Sequence, residues 1–250
     1  MPVEGIDPVR VKLDHLHAVA GRWVDDHHWA NTKPWSIRPA RRIDGVAVFE
    51  LTTLTHAAAT RFTTAITPGQ PIRLGTQHGT ILTQPHIIDA QPWNRLHPTP
   101  TPAAHAWSVT FLTPTTFGNG NRFSPWPDPS SIARSLTTRW NTLRPNNIPQ
   151  LPEDPKLWRR VWVSDIDGHS EVLDLQNLTL SGFLGRVRYV CEDPQMAAIF
   201  QSLLTFAEYA GVGRYPTRGL GAIRLEPTWE PGATSHAARS SGAWDGDPDQ

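Results

Sequence analysis

Along the first half of the chain the apolar positions change rhythm several times. Val9, Val11 and Leu13 alternate with charged residues, the period of a strand, and a short first strand is expected over 9–13. In HLHAVAGRWVD (15–25), Leu16, Val19, Ala20 and Trp23 recur at helical spacing, predicting one amphipathic helix. GVAVFELTTL (45–54) is apolar and β-branched like a strand, and THAAATRFTTAI (55–66) reads as a short helix opened by Thr55. PIRLGTQHGTILTQPHII (71–88) predicts two strand segments around Gly75 and Gly79.

The stretch QPWNRLHPTPTPAA (91–104) breaks this pattern with four prolines and little apolar periodicity, the composition of a linker. Beyond it AWSVTFLT (106–113) is a strand. Asp128 and Pro129 then announce a helix as N-cap and first residue, turning Ile132, Leu136, Trp140 and Leu143 inward. WRRVWVS (158–164) and GFLGRVRYVC (182–191) read as strands. Asp193-Pro194 starts a second capped helix facing Met196, Phe200, Leu203 and Ala207 to the core, with Gly211 as its terminator. AIRLEPTW (222–229) is a last strand. Each half therefore reads β-α-β-β-α-β, and the expected architecture is α+β: two tandem ferredoxin-like domains packed side by side. The expected division is an N-terminal domain over 1–92, a proline-rich linker over 93–104, a C-terminal domain over 105–230 and a disordered tail over 231–250, rich in Gly, Ser, Ala and Asp.

Charge changes this picture little. Among 250 residues, 23 basic and 23 acidic side chains cancel, so any polyanion must be met by a local patch. The basic set is nearly all arginine, with Lys12, Lys33 and Lys156 as its lysines; codon bias and bidentate phosphate contacts both account for that. A lone cysteine, Cys191, excludes a disulfide framework and a multi-cysteine zinc site and suits a reducing compartment. No stretch approaches the roughly 18 consecutive apolar residues of a membrane span, and the first residues lack the apolar core of a signal peptide, so a cytoplasmic protein is expected.

The segment G-V-G-R-Y-P-T-R-G-L-G (211–221) carries the most specific signal. A dinucleotide fingerprint places its glycines after a strand and before a helix; these leave a helix and enter a strand, so that reading fails. Two readings remain. One is a glycine helix terminator followed by a tight turn. The other is a loop whose bare amides, with Arg214, Tyr215 and Arg218, cradle phosphates.

This segment resembles the C-terminal glycine-rich loop of CRISPR proteins of the RAMP superfamily. FLTPTTF (111–117), LTTRWNTL (136–143) and SGFLGRVRYV (181–190) are similar to further motifs of its repeat-processing endoribonucleases. The resemblance covers most of the second half and is weaker in the first. It implies two ferredoxin-like domains, metal-independent cleavage of CRISPR precursor RNA within repeats, 2′,3′-cyclic phosphate and 5′-hydroxyl ends, and no cofactor. The implied partner is the repeat RNA, with effector-complex subunits as further candidates and a monomer or homodimer as the assembly. Because the N-terminus is shorter than the family's, the first strand is expected at 9–13 or not at all.

By the same resemblance KPWSIRP (33–39) is the short strand after the catalytic loop, which puts His27 at the family's histidine position. His28 beside it is not separable by sequence, and Lys33 falls where some members carry a charge-stabilising lysine. The tyrosine that assists some relatives from the first helix is missing; His17 stands in on geometric grounds. A metal site among His15, His17, Asp25, Asp26, His27 and His28 is disfavoured, because residues two apart or consecutive point to different faces. Arg38, Arg41 and Arg42 form the densest cationic cluster and are expected on phosphates. The RNA-binding set is completed by Gly211, Gly213, Arg214, Tyr215, Arg218, Gly219 and Gly221. Arg134 and Arg139 are expected on the outer face of their helix, facing RNA or water. A noncatalytic RNA-binding subunit is the main alternative function, and a small-ligand binder the more distant one.

Overall fold

A computed structural model of the chain describes residues 1–25, 30–96, 105–175 and 178–226. In chain order its elements are β1 (Pro2–Glu4), α1 (Leu13–Val24), β2 (Trp35–Ile37), β3 (Arg41–Ile43), β4 (Val46–Val48), β5 (Leu51–Thr53), α2 (His56–Ala65), β6 (Pro71–Leu74) and β7 (Gln77–Ile81). There follow α3 (Trp93–Leu96), β8 (Ala106–Thr115), β9 (Phe117–Asn119), β10 (Arg122–Ser124), α4 (Pro129–Leu143), β11 (Val161–Leu175), β12 (Leu178–Cys191), α5 (Pro194–Ala210) and β13 (Ile223–Glu226).

The second half forms an antiparallel sheet in the order β11-β12-β8-β13, the strand order of a ferredoxin-like unit, with α4 and α5 as its two helices. Strict alternation along β8 buries Trp107, Val109 and Phe111 beneath Ile132, Leu136 and Trp140 of α4 and Phe200 and Leu203 of α5. Both helices start as local chemistry dictates. Asp128 accepts from the Ser131 amide and Asp193 from those of Gln195 and Met196, each followed by a proline at the first turn. The first half carries a five-stranded antiparallel sheet, β3-β4-β1-β7-β6, with α1 and α2 supplying its helical layer. Leu16, Val19, Ala20 and Trp23 of α1 are buried, as their spacing predicts.

Three strand readings need correction. The first strand is Pro2–Glu4, whose Val3 pairs with Ala47 and Ile81; residues 8–10 instead make a 3-10 turn with Asp7 as cap, and Val9 is 89% exposed. The expected strand over 45–54 is divided between two sheets. β4 joins the large sheet, and β5 pairs with β2 in a two-stranded ribbon that leans toward the second half. In the second half the predicted strands are short samples of one long hairpin. Residues 158–160 form a 3-10 turn, and pairing runs from Val161 with Cys191 to Leu175 with Leu178.

The two halves meet at the C-terminal end of α5. The Ser36 hydroxyl donates to the Tyr209 carbonyl at 2.7 Å and the Tyr209 hydroxyl to Asp89 at 2.7 Å. Trp93 of α3 packs edge-on against Trp140 and donates from its indole to the Leu54 carbonyl. At the far end of the long hairpin Leu175 and Leu180 close over Leu220, with Leu13, Phe123 and Tyr215 packed around them.

Candidate functional site

The glycine-rich segment lies where these contacts converge, and its shape follows from close backbone approaches. The Gly211 amide donates to the Ala207 carbonyl and ends α5 at φ 69°. The chain then doubles back on itself. Val212 donates to Gly221, Arg214 to Thr116 at 2.8 Å, Gly221 to Pro114, and Ala222 to the Thr113 hydroxyl at 2.9 Å. A Cβ on Gly213 would sit 2.4 Å from the Thr116 carbonyl oxygen, and one on Gly221 1.9 Å from that of Val212, both at positive φ. The sequence motifs thus meet in space: FLTPTTF supplies the acceptors, and from α4 the Ser135 hydroxyl accepts from the Gly213 amide at 2.8 Å.

Arg139, expected on the outer face of α4, turns inward instead. Its guanidinium donates to the Ala210 and Gly211 carbonyls and satisfies the end of α5. Burial lowers its pKa to about 10, which leaves it charged near neutrality. Its neighbours Arg134 and Arg214 line the same cavity of about 400 Å³, with Thr32, Ser131, Ser135, Thr138 and Gly118. Three cations, four hydroxyls and a backbone free of side chains make a seat for phosphate oxygens.

On its other side the loop is pinned to α1. Arg218 pairs with Asp14 at 2.8 Å, its guanidinium 5.4 Å from the Tyr215 ring centroid, and Tyr215 itself sits in the left-handed region at φ 63°. The carbonyl of Thr217 meets Nδ1 of His17 at 2.8 Å. The His17 ring stacks on Trp35, centroids 5.5 Å apart; the Trp35 indole donates to Asp25 at 2.6 Å, and the other oxygen of Asp25 holds the ammonium of Lys33 at 2.8 Å. Sequence reasoning left Asp25, Trp35 and the loop contacts of His17 out of the site. A signal existed: Asp14, His17, Gly21 and Asp25 recur at i, i+3, i+7 and i+11, a polar stripe opposite the buried one.

The predicted residues therefore separate into groups. Lys33 and the glycine segment share one neighbourhood, with Thr32 reaching the arginine-lined cavity. Arg38 and Arg41 both pair with Glu50, and Arg42 with Asp7 and the Gly45 carbonyl, on the hairpin beyond β2. His27 and His28 lie outside the described residues. Among the described residues no group of three or more His, Cys, Asp or Glu converges as a metal site would, and no helix is long and apolar enough to cross a membrane.

Solved structures share the fold of these two halves. A Cas6 product complex superposes with TM-score 0.72 at 22% identity, covering 87% of this chain and 94% of that one. Thermus thermophilus Cas6 gives 0.65 at 21%, covering 90% and 96%, and a RAMP protein binding different RNA substrates gives 0.51 at 10%, covering 90% and 98%. Residues 109–223 match the family described as CRISPR-associated endoribonuclease Cas6. The Cas6 of Mycobacterium tuberculosis is 27% identical over 127 residues, 50% of this chain and 40% of that protein; the Cas6 of Streptococcus thermophilus is 26% identical over 123 residues, 48% and 50%. The match thus spans half or less of these curated relatives. The family match lies within the second half and leaves the first half to the likeness of fold.

Proposed function

We propose that this protein is a metal-independent endoribonuclease that cuts CRISPR precursor RNA within its repeats and releases mature guide RNA with 2′,3′-cyclic phosphate and 5′-hydroxyl ends. The observation that carries this reading is the meeting of the Cas6-family motifs around one glycine-rich loop, whose arginine-lined cavity shares the Lys33-bearing segment through Thr32. Cleavage of this type needs the 2′-hydroxyl deprotonated, the 5′-oxygen protonated and the phosphorane charge stabilised. His27 or His28 serves as general acid and Lys33 as the stabilising cation, its ammonium held in place by Asp25. Arg214 and Arg134 grip phosphates beside Gly213, with Arg139 adding charge from beneath, while Gly211, Gly219 and Gly221 let the loop take its shape. Tyr215 and Arg218 border the same loop. Arg38, Arg41 and Arg42 act as outlying phosphate contacts once RNA competes for them with Glu50 and Asp7. The working division is a catalytic domain over 1–92, a linker over 93–104 and an RNA-gripping domain over 105–230. The protein works in the cytoplasm, alone or as a homodimer, and hands its product to effector subunits.

The test is incubation with the repeat RNA of the neighbouring array in EDTA, with the cut mapped to the nucleotide. Cleavage at one position, lost in a His27→Ala/His28→Ala double variant that still binds the repeat, is the expected result. Binding without cleavage by the wild type identifies a noncatalytic RNA-binding subunit, and a requirement for magnesium overturns the mechanism.

A further inference from the structure

We propose that Trp126 is a stacking platform for an unpaired base of the repeat RNA, placed so that the arginine-lined cavity holds the backbone while the indole holds a neighbouring base. The inference rests on the endoribonuclease reading above and adds to it a subsite that carries no charge. Among the described tryptophans Trp126 is the most exposed, at 54%, whereas Trp35, Trp107, Trp140 and Trp158 are fully buried. Its backbone is nonetheless fixed. Pro125 and Pro127 flank it, and a residue ahead of proline is confined to extended conformations. The Trp126 amide donates to the Ser124 hydroxyl at 3.2 Å, and the carbonyl of the buried Pro127 accepts from the Tyr189 hydroxyl at 2.8 Å. A ring held out to solvent on a fixed backbone loses little freedom when a flat ligand covers it.

The surroundings of Trp126 select the ligand. Ser124, at the end of β10, pairs with Phe117, a wall of the cavity, and beyond Trp126 the chain returns to the cavity at Ser131 of α4. The β9–β10 hairpin is itself tied to the cavity arginines. Arg134 donates to the Gly118 carbonyl at 3.1 Å, and the Arg214 guanidinium lies so near that a Cβ on Gly118 would sit 2.9 Å from its nitrogens. The carboxylate nearest in sequence, Asp128, accepts from the Ser131 amide as the cap of α4. A polyanion lying along arginines with no carboxylate among them turns its bases toward whatever apolar surface borders the cavity, and an exposed indole offers them a broad ring face. The base is unpaired, since a base inside a duplex already has neighbours on both faces. Stacking senses that a base is present and does not read its edges, so the subsite contributes affinity with little sequence discrimination.

The test is a cycle of binding measurements with the repeat RNA of the neighbouring array and a series of copies that each lack one base. In the wild type, removing the base at one position is expected to weaken binding by about 5–100-fold. Trp126→Ala weakens the intact repeat by about the same factor and that abasic copy no further, while Trp126→Phe, which keeps a ring, recovers most of the loss. Exchanging the base at that position for any other changes wild-type binding by about threefold or less. Because Trp126→Ala removes no charge, the slope of log affinity against log salt stays at its wild-type value. Unchanged affinity for the intact repeat in Trp126→Ala overturns the proposal, and so does a lowered salt slope. An equal loss on the intact repeat and on every abasic copy also overturns it, by exposing a purely structural role. In each of these cases a wild type that still cuts the repeat leaves the endoribonuclease reading standing; a wild type that neither binds nor cuts it ends both.

Discussion

The two arginine-bearing segments, 38–42 and 214–218, look alike as sequence and differ in what surrounds them. Arg38 and Arg41 share Glu50, and Arg42 reaches Asp7, so every arginine of the first cluster has a carboxylate partner within its own half. In the second, Arg218 is spent on Asp14, but Arg214 lines a cavity with Arg134 and Arg139 and no carboxylate among its lining residues. Cations become a phosphate seat when they converge without a countercharge, and convergence is a property of the fold. Density of arginine along the chain measures something else.

The sharpest way to break this contrast is to deny the loop its shape. In Gly221→Ala the new methyl would lie 1.9 Å from the Val212 carbonyl oxygen at φ 72°, whereas in Gly219→Ala it would meet only Leu13 and Pro39 carbons at 3.4 Å and φ 86°. The first is expected to lose about 3–5 kcal/mol, enough to unfold a marginal domain, and the second about 1–2 kcal/mol from backbone strain alone. Urea unfolding of the two variants reads the difference, and equal losses would show that close approach does not shape the loop.

A smaller effect separates the arginines themselves. Arg134→Ala with Arg214→Ala is expected to weaken repeat binding by about 10–100-fold and to lower the slope of log affinity against log salt by about one for each phosphate no longer neutralised. Equilibrium binding at several salt concentrations gives both numbers. An unchanged slope would remove the cavity from the RNA path.

Legibility in the sequence followed the range of the forces involved. The starts of α4 and α5 were plain because an aspartate cap and a proline act within one turn. β1 was not, since three residues carry no period and the strand exists only through pairing with Ala47 and Ile81. The middle of β11 hid for the opposite reason: its exposed, largely polar run 164–174 has no buried face, and β12 alone holds it in register. Arg139 points outward on a helical wheel, and the wheel cannot know that the end of α5 offers it two carbonyls. In the site, the resemblance drew attention to the glycine segment and Lys33, but the contact between His17 and the glycine segment was out of reach, because its partner carbonyl lies 200 residues away.

The smallest expected effect belongs to the first cluster, and it is the most direct test of the contrast. The side chains of Arg41 and Arg42 are 59% and 50% exposed, so their ion pairs contribute little; losing both costs roughly 0.5 kcal/mol or less in folding stability. Removing both frees Asp7 of its arginine and leaves Glu50, 17% exposed, still paired with Arg38. If Arg41 and Arg42 stay on their carboxylates when RNA binds, Arg41→Ala/Arg42→Ala changes repeat affinity by about threefold or less and leaves the salt slope unaltered. If instead RNA displaces both carboxylates, the double variant lowers the slope by about two, one for each arginine removed from a phosphate. That outcome would place the RNA across both halves of the protein and make the ion pairs with Glu50 and Asp7 the resting state of a second RNA-binding surface.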